Sequence, residues 1–525
     1  MMKPPHLVKV GNGTQLMVDE KSFIALGGEI HNSSSSSLEY MEKHVWDRLV
    51  YFNCNTAIIP ITWELTEPEE GYFDFSLLEG VINGARKRNL KVILLWFGTW
   101  KNSKSTYIPA WVKGDRERFP FVTLPNGQVT NIVSCHSEEA CAADAKAFAT
   151  VMKRIREIDE EEQTVIMVQV ENEVGFLGTP RDYSEKANEL FNQIVPVELT
   201  SYLINNEKQL LPALAAVWNS TAKKGTWREV FGHLAEEVFT TWHISRYVDK
   251  VAQAGKQEYE LPMFVNAWLM QYKEEKPGSY PSGGPVAKMM NIWKCGAPHI
   301  DLLAPDIYLN EFADVCAEYT QIGNPLLIPE TRRDRVMVAN LFYAIGEHQT
   351  LGFTPFGIES MDNGVDPWAG GFHPPDHFMI MESESVGPLL SKAYHLLGEM
   401  MPMITNYYGS EKIRGILQKD AYPNAIDFNN YRLQINFTQG IKSSSLPGGG
   451  FVIEVSDGEY IIVGHGFAIE FESKSEDSPY VDFISIDEGV FRDGEWVNGR
   501  RLNGDEYRVS LGSEPQVLKV SLYSY

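Results

Sequence analysis

The segment Val165-Ile-Met-Val-Gln-Val-Glu-Asn-Glu173 is a nearly continuous apolar run that ends in two glutamates separated by one asparagine. An apolar run without regular alternation is typical of a strand that is buried on both faces of a parallel sheet. In β/α barrels, residues just past the carboxyl end of such a strand lie on the rim where active sites form. The segment therefore predicts a buried parallel strand that delivers carboxylates to a barrel rim.

Further apolar runs of this kind alternate with helical patterns before residue 404. The predicted strands are Phe23–Asn32, Thr56–Thr66, Lys91–Lys101, Val165–Gly175, Met263–Leu269, Ile300–Leu309, Pro325–Asp334 and Leu351–Ser360. Helical periodicity occurs between them, for example in Leu78–Arg88 and Cys141–Arg156, with basic residues towards the end. Repeated β/α units of this number predict a (β/α)8 TIM barrel, an α/β fold.

An insertion around residues 176–260 is longer than one barrel crossover. Ala187–Val195 and Trp227–Val251 have helical periodicity within it. Because the insertion follows the carboxyl end of a predicted strand, part of it is expected to wall the mouth of the barrel. The Pro/Gly-rich stretch Lys276–Pro285 follows the next strand on the same face. Its pattern suits a substrate loop and a simple connector equally.

After a predicted helix near Leu389–Met401, the pattern changes to short alternating stretches separated by Gly, Asn and Asp turns. Such a pattern predicts an all-β module, most simply a sandwich. The clearest strands are Phe451–Val455, Glu459–Val463, Phe467–Phe471, Val481–Ile486 and Val517–Tyr523. We therefore predict a barrel domain over residues 1–404 and a smaller C-terminal β-sandwich domain over residues 405–525.

The composition excludes several classes of partner. The chain has 525 residues, 43% of them hydrophobic, and a net charge of -24 from 70 acidic and 46 basic residues. So acidic a protein repels nucleic acids and anionic membranes, and a small uncharged substrate is expected. The amino terminus lacks the apolar stretch of a signal peptide, and no run reaches membrane-span length, which predicts a soluble, cytoplasmic protein. A homo-oligomer stays open, because nothing in the sequence decides it.

A second glutamate repeats the first arrangement in Pro325-Leu-Leu-Ile-Pro-Glu330, again at the end of an apolar strand. Glycoside hydrolysis requires two facing carboxyl groups, which in retaining enzymes are about 5–5.5 Å apart and act as acid/base and nucleophile. Such a mechanism needs no cofactor and no metal ion. Each glutamate alone has a structural alternative, a helix cap for Glu173 or an ion pair with Arg332 or Arg333 for Glu330. Their places after the fourth and seventh predicted strands favour the catalytic pair.

The neighbours of the two glutamates have expected roles of their own. Asn172 is expected to offer its side-chain amide to a sugar hydroxyl, and Glu171 is expected to point to the other side of the strand. The acid needs apolar burial or a nearby negative charge to stay protonated, whereas the nucleophile needs hydrogen-bond donors that keep it ionised. Tyr308 is the candidate donor to Glu330.

Four stretches carry a resemblance to a known family. They are Gly28-Glu-Ile-His-Asn32, the Asn55–Phe75 stretch, Ile108-Pro-Ala-Trp111 and Val168-Gln-Val-Glu-Asn-Glu173. They resemble the β-galactosidases of glycoside hydrolase family 35, with family 42 next nearest. The resemblance implies a clan A barrel with Glu173 as acid/base, Glu330 as nucleophile and galactose released with retained configuration. The C-terminal module resembles one found in a bacterial and fungal branch of family 35, some members of which act on xyloglucan-derived galactosides.

The chain departs from the family pattern in two places. After the third strand, many members have an acidic, cysteine-containing stretch where this chain has Phe97-Gly-Thr-Trp-Lys-Asn102, so their galactose contacts do not carry over. Within it, Trp100, Lys101 and Asn102 are candidate substrate contacts. After the first strand, the family's Ile-His-Tyr is Ile30-His-Asn32, and both His31 and Asn32 stay candidate sugar ligands.

Aromatic residues at strand ends are further candidates, because aromatic faces stack on the apolar faces of sugars. They are Trp63, Trp100, Trp268, Tyr308 and, in the loop after the last barrel strand, Trp368. Core packing is the alternative for each of them, and only some are expected to touch sugar.

The sequence as a whole predicts a retaining exo-β-galactosidase that acts on oligosaccharides. Two alternatives stay open: the same mechanism on a β-glucoside, an α-L-arabinoside or a β-glucosaminide, and an inactive carbohydrate-binding barrel. Metal binding is not expected. The prolines of His373-Pro-Pro-Asp-His377 prevent the helix that would place both histidines on one face.

Overall fold

A closed barrel of parallel strands is the main feature of the fold. The computed structural model describes residues 3–272, 274–362, 386–420, 422–438 and 446–525. The strands before residue 360 are β1 (His6–Val10), β2 (Gly13–Val18), β3 (Lys21–Phe23), β4 (Ala25–Glu29), β5 (Thr56–Thr62), β6 (Lys91–Lys101), β7 (Phe121–Thr123), β8 (Val129–Val133), β9 (Val165–Asn172), β10 (Met263–Trp268), β11 (Leu302–Ile307), β12 (Ile328–Thr331) and β13 (Gly352–Pro355). Strands β4, β5, β6 and β9 to β13 close the barrel in chain order.

Every barrel strand lies within a segment that the sequence predicted, and the TIM barrel is confirmed. Strand β9 is buried along its whole length. One face of such a strand meets the barrel interior and the other meets the surrounding helices, which is why the apolar run is continuous.

Apolar side chains fill the interior of the barrel. They include Ala25, Ile58 and Phe264, and the same cluster contains Leu16 and Val18 of the amino-terminal hairpin. Ala25 is the first residue of β4, so the hairpin covers the barrel at the amino ends of its strands. The carboxyl ends carry the polar residues that form the candidate site.

Helices connect the strands and cover the outside of the barrel. They are α1 (Leu38–Tyr40), α2 (Trp46–Tyr51), α3 (Trp63–Thr66), α4 (Ser76–Arg86), α5 (Ala110–Gly114), α6 (Glu138–Asp159), α7 (Glu185–Phe191), α8 (Val197–Asn205), α9 (Pro212–Ser220), α10 (Trp227–Phe231), α11 (Ala235–Glu258), α12 (Met290–Gly296), α13 (Phe312–Tyr319), α14 (Met337–His348) and α15 (Gly387–Thr405). Among the described residues, no helix is long and apolar enough to span a membrane.

The insertion around residues 176–260 is helical as predicted, with α7 to α11. The helical periodicity of Trp227–Val251 corresponds to two helices, because α10 ends at Phe231 and is capped by Gly232, whose φ of 51° is left-handed. The Lys276–Pro285 stretch is a packed connector: Ser282 exchanges two backbone hydrogen bonds with Phe176. Within it Tyr280 is fully buried and donates to Glu237 over 2.6 Å.

The C-terminal module is a sandwich of two antiparallel sheets, as predicted. Its strands are β14 (Ile413–Leu417), β15 (Asn424–Asp427), β16 (Tyr431–Phe437), β17 (Gly449–Ser456), β18 (Glu459–His465), β19 (Phe467–Ser473), β20 (Val481–Arg492), β21 (Glu495–Arg501), β22 (Val509–Leu511) and β23 (Gln516–Ser524). The sequence identified β17 to β20 and β23 and missed the rest. The predicted boundary after residue 404 stays a prediction.

The six-stranded sheet of the module packs on the barrel through α14. Phe451 and Ile453 of β17 belong to the core shared with the barrel, whereas Val452 between them belongs to the sandwich core. Glycines allow the close approach: a Cβ on Gly346 of α14 would lie 2.3 Å from the Cβ of Phe451. Strand β17 of this sheet is therefore buried on both faces along most of its length.

Candidate active site

Two glutamates face each other at the carboxyl end of the barrel. Glu173 directly follows β9 and is 6% exposed, and Glu330 lies in β12 and is 5% exposed. One carboxyl oxygen of each lies within 4.8 Å of the other, and of one carboxyl oxygen of Asp306 in β11. Retaining glycosidases separate their carboxyl groups by about 5–5.5 Å, and inverting enzymes by about 6.5–9.5 Å. The spacing here fits the retaining arrangement.

Three side chains donate hydrogen bonds to the Glu330 carboxyl group. The hydroxyl group of Tyr308 donates to Oε2 over 2.8 Å, as the sequence predicted. The amide groups of Asn172 and Asn266 donate to Oε1 over 3.3 and 3.4 Å. These donors match the negative charge of a carboxylate and hold it in one orientation.

Glu173 has a different environment. Burial, followed by the negative charge of Glu330, raises its pKa to about 8, while Lys101 and a hydrogen bond with Asp306 act in the opposite direction. Its backbone N–H donates to Oδ1 of Asn266 over 2.8 Å, which holds the end of the strand in place. A carboxyl group with this pKa keeps its proton at neutral pH.

Glu171 points away from the pair, as predicted, but strand alternation is not the reason. The backbone is left-handed at Glu171 and Glu173, with φ values of 64° and 44°, so the strand geometry is broken there. Glu171 accepts a hydrogen bond from the backbone N–H of Trp100 over 2.7 Å. Its pKa is raised, first by burial and then by the charge of Asp144 on α6. Glu171 and Asp144 form a buried carboxyl pair outside the barrel.

Lys101 places a positive charge beside the pair. Its Nζ donates to Oδ1 of Asn172 over 2.9 Å, and Lys101 is buried at 7% exposure. The turn that follows has left-handed backbone at Asn102 and Ser103, and Ser103 donates its N–H to the carbonyl of Glu173 over 3.2 Å. Lys101 therefore lies beside the carboxyl pair and its contact with substrate stays a prediction, whereas Asn102 is a half-buried turn residue.

Sequence reasoning missed three polar residues of the site. Asn266 in β10 bridges the cluster by donating to Asp306 over 2.8 Å and to Glu330. Burial and the charges of Glu330 and Glu173 raise the pKa of Asp306 well above its usual range. Glu29 ends β4 and is fully buried. Glu29 and Asp306 stand at the carboxyl ends of apolar strands, which is the signal that identified Glu173 and Glu330, whereas Asn266 lies two residues before the end of β10.

The predicted aromatic contacts divide into two groups. Trp268 ends β10, pairs in register with Asp306 and is partly exposed, so it stays a candidate sugar platform. Trp63 is a core residue instead: it is fully buried, and its indole donates to Glu67 over 2.8 Å. Trp100 is also core, because its ring packs 4.5 Å from that of Tyr247 on α11. Apolar packing against the outer helices explains both residues better than sugar contact does.

The loop after β4 supplies the remaining candidates. His31 is bound to the segment after β13: its Nε2 lies 2.8 Å from Oγ of Ser360, and its backbone N–H donates to Glu359. Burial lowers the pKa of His31, which favours the neutral ring. The side-chain oxygen of Asn32 is buried and has no hydrogen-bond partner among the described residues. Trp368, like the His373–His377 stretch, lies outside those residues.

The proximity of Glu173, Asp306 and Glu330 also has a bearing on metal binding. Among the described residues, this is the one group of three acidic or metal-binding side chains close enough to hold an ion. Tyr308 donates a hydrogen bond to Glu330, and Asn266 donates one to Asp306, which are contacts that suit a metal-free carboxyl pair. A mechanism without metal stays a prediction.

Two family models match parts of the chain. Residues 43–230 match the glycoside hydrolase family 42 model, described as β-galactosidase. Residues 390–512 match DUF5597, described as a domain of unknown function. The family 42 match supports a clan A glycoside hydrolase. The predicted assignment to family 35 is not supported, since family 42, the second choice of the sequence analysis, fits better. None of the curated proteins matches the chain.

Solved structures with similar folds include two β-galactosidases and a β-amylase. The β-galactosidase from Rahnella sp. R3 has a TM-score of 0.46 and 14% identity, over 73% of this chain and 58% of that one. The β-galactosidase from Bacillus circulans sp. alkalophilus has a TM-score of 0.48 and 14% identity, over 73% and 57%. The β-amylase catalytic domain from Paenibacillus polymyxa has a TM-score of 0.45 and 11% identity, over 64% and 92%. The chain thus spans less than two thirds of the length of these β-galactosidases.

Proposed function

We propose that the protein is a retaining exo-β-galactosidase that removes terminal, non-reducing β-D-galactose from oligosaccharides. The observation that carries the proposal is the unequal environment of two carboxyl groups at a retaining distance. Glu330 accepts three hydrogen bonds, while burial and charge raise the pKa of Glu173 to about 8. The β-galactosidase family model supports galactose as the sugar.

The first displacement forms a covalent galactosyl-enzyme. A carboxylate oxygen of Glu330 attacks the anomeric carbon, the glycosidic carbon–oxygen bond breaks, and the leaving oxygen takes the proton of Glu173. Because the pKa of Glu173 is about 8, that proton is in place at neutral pH. Tyr308 keeps its hydrogen bond to Oε2 of Glu330, which leaves that carboxyl group oriented for attack.

The second displacement releases galactose. Glu173, now ionised, takes a proton from water while the water oxygen attacks the anomeric carbon and the ester bond to Glu330 breaks. Both carboxyl groups return to their starting protonation states, and two inversions give net retention. Water is the one co-reactant consumed.

Asn172 and Lys101 form the fixed part of the site. The Asn172 amide lies 3.3 Å from Oε1 of Glu330, so it is beside the position of the reacting carbon. Its carbonyl oxygen accepts from Lys101, which leaves the amide N–H groups directed at Glu330 and at the sugar hydroxyl next to the reacting carbon.

Substitution of each glutamate tests the roles separately. Glu330→Gln is expected to abolish turnover of every galactoside. Glu173→Ala is expected to slow galactosides with poor leaving groups by about 10²–10⁴-fold, because protonation of the leaving oxygen is lost. The leaving group of dinitrophenyl galactoside needs no protonation. Glu173→Ala should therefore form the galactosyl-enzyme from this substrate at a rate close to that of wild type. Equal loss on both substrates would contradict the role of Glu173.

The choice of sugar and the stereochemistry are tested together. Wild-type enzyme is assayed with nitrophenyl β-galactoside, β-glucoside, α-L-arabinoside and β-glucosaminide, and with galactosylated xyloglucan oligosaccharides, which we propose as a natural substrate class. The galactosides are expected to react fastest, and NMR is expected to show β-galactose as the first product. First formation of α-galactose would contradict double displacement, and galactoside binding without product would indicate an inactive binding barrel.

A further inference from the structure

Glu29 is a buried carboxyl group beside the catalytic pair for which the mechanism above has no use. It is the last residue of β4 and is 0% exposed. Strand alternation places it on the same face as Ala25, which belongs to the apolar cluster inside the barrel. Its side chain therefore points inward at the carboxyl end of the barrel.

The charges that act on Glu29 show which groups surround it. Glu330 acts on it most strongly, followed by Lys101, Glu173 and Glu359. The carboxyl group thus lies at the same end of the barrel as both catalytic glutamates. Burial, followed by the charge of Glu330, raises its pKa well above the usual range, which favours the protonated form. A carboxyl group in that form can both donate and accept hydrogen bonds.

A purely structural role would require protein partners for this group. Glu171, equally buried, has the backbone N–H of Trp100 and the carboxyl group of Asp144. Neither carboxyl oxygen of Glu29 has a hydrogen-bond partner among the described residues. Buried polar groups are almost always hydrogen-bonded, so an exception inside an active site indicates a group that meets its partner on the ligand.

We propose that Glu29 is a specificity-determining residue whose carboxyl group hydrogen-bonds hydroxyl groups of the sugar held between Glu173 and Glu330. The proposal rests on the proposed glycosidase function of this site. The two oxygens of one carboxyl group can bind two neighbouring hydroxyl groups of a pyranose, one as donor and one as acceptor. Sites that hydrogen-bond a substrate hydroxyl discriminate strongly against analogues that lack it.

The test compares Glu29→Leu with wild-type enzyme on nitrophenyl β-galactoside and its 3-deoxy, 4-deoxy and 6-deoxy analogues. The variant is expected to lose at least about 100-fold in kcat/KM on the galactoside. In wild-type enzyme, removal of a hydroxyl group that binds Glu29 should lower kcat/KM. For one or two of the three deoxy analogues, that decrease in kcat/KM should nearly disappear in the variant. The same deoxygenation losses at every position in both enzymes would overturn the proposal.

Stability separates this role from a structural one. Leucine fills a similar volume without a polar group to desolvate, so the Tm of Glu29→Leu should equal or exceed that of wild type. A lowered Tm together with unchanged deoxygenation losses would indicate packing alone. Should the leucine variant not fold, Glu29→Gln is assayed with the same substrates and must change the loss that deoxygenation causes at one or two hydroxyl positions. Glu171→Gln, an equally buried carboxyl with protein partners, is the matched control and should leave all these losses unchanged.

A binding measurement separates failure of the proposal from failure of the proposed function. Galactose is titrated calorimetrically into wild-type and Glu29→Leu protein, independently of turnover. An affinity at least about tenfold weaker in the variant supports the sugar contact even if no galactoside is hydrolysed. Equal affinities, or no binding of galactose to the wild type, would overturn it. If wild type hydrolyses galactosides and Glu29→Leu hydrolyses them equally well, this inference is overturned. The proposed enzyme function then still holds.

Discussion

At the level of single residues, Glu171 and Glu173 are separated by one residue in the sequence but have different chemical environments. One pairs with Asp144 and the backbone of Trp100, and the other faces Glu330. Left-handed backbone at both positions turns their side chains to opposite sides of the barrel wall. The two glutamates therefore differ in their surroundings, which the left-handed backbone sets, and not in residue type.

This difference predicts unequal effects of the same substitution. Glu171→Gln should keep kcat/KM on nitrophenyl galactoside within about threefold of wild type, since an amide can still accept from Trp100 and donate to Asp144. Glu173→Gln should lower kcat/KM on galactosides with poor leaving groups by about 10²–10⁴-fold, because the amide cannot give up a proton to the leaving oxygen. Steady-state kinetics of the two variants, with circular dichroism as a folding control, makes the comparison. Similar losses in both would exclude the separation of roles.

The raised pKa of Glu173 is expected to set the alkaline limit of the proposed activity. The acid must be protonated in the free enzyme, so kcat/KM on a galactoside with a poor leaving group should fall as the pH rises through about 8. With dinitrophenyl galactoside, whose departure needs no proton, the alkaline decline should be absent or shifted to higher pH. Rates measured from pH 5 to 10 on both substrates check this. A decline at the same pH for both would assign it to another group.

At the element scale, helix α14 joins the barrel to the C-terminal sandwich. The helix packs on β14 and β17, and the rings of Phe342 and Phe451 are 6.2 Å apart across the contact. Gly346 permits this approach, because its missing side chain leaves room for Phe451 and for the backbone of Gly415. The sandwich therefore braces the barrel through a contact that is closely packed.

Gly346→Ala should destabilise the protein even though alanine favours helices. The added Cβ would lie 2.3 Å from the Cβ of Phe451 and 3.0 Å from the Cα of Gly415, which forces the sheet to move. Such overpacking costs about 1–3 kcal/mol, and calorimetry should show a lower Tm. Gly398→Ala in α15 is the matched control: its Cβ would meet nothing within 4 Å, so a gain of up to about 1 kcal/mol is expected. A lowered Tm in both variants would argue against the packing explanation.

At the scale of the whole molecule, the barrel buries several carboxyl groups whose pKa values are raised. They are Glu29, Asp144, Glu171, Glu173 and Asp306. Such a group stabilises the folded state fully below its unfolded pKa, and that contribution is lost as the pH rises towards its folded pKa. The buried carboxyl groups of the candidate site therefore lower the free energy of unfolding more as the pH rises.

Replacement of one of these groups should therefore stabilise the protein more at high pH than at low pH. For Glu173→Gln, the Tm difference from wild type should increase between pH 5 and pH 8, because in wild type the folded state holds a proton that the unfolded chain has released. Thermal melts of both proteins at pH 5, 6.5 and 8 measure the difference. A Tm difference that is independent of pH would contradict the raised pKa.

The eight barrel strands and the change to an all-β module could be predicted from the sequence, and so could the strand ends that carry Glu173 and Glu330. Each of these has a local signal, because a strand buried on both faces must be continuously apolar and a functional residue must follow its carboxyl end. The missed strands of the sandwich lack that signal. Strand β21, for example, is largely exposed and polar.

Which polar residues lie together in the candidate site could be seen only in the folded barrel. Asn266, Asp306 and Glu29 come from three different strands, and it is barrel closure that brings them to Glu173 and Glu330. The same closure placed Trp63 and Trp100 in the core, because the contacts of an aromatic ring at a strand end depend on which helix packs behind it. Local patterns of apolar residues in the sequence indicate which segments are buried and where strands end. Contacts between distant strands exist only once the barrel has formed.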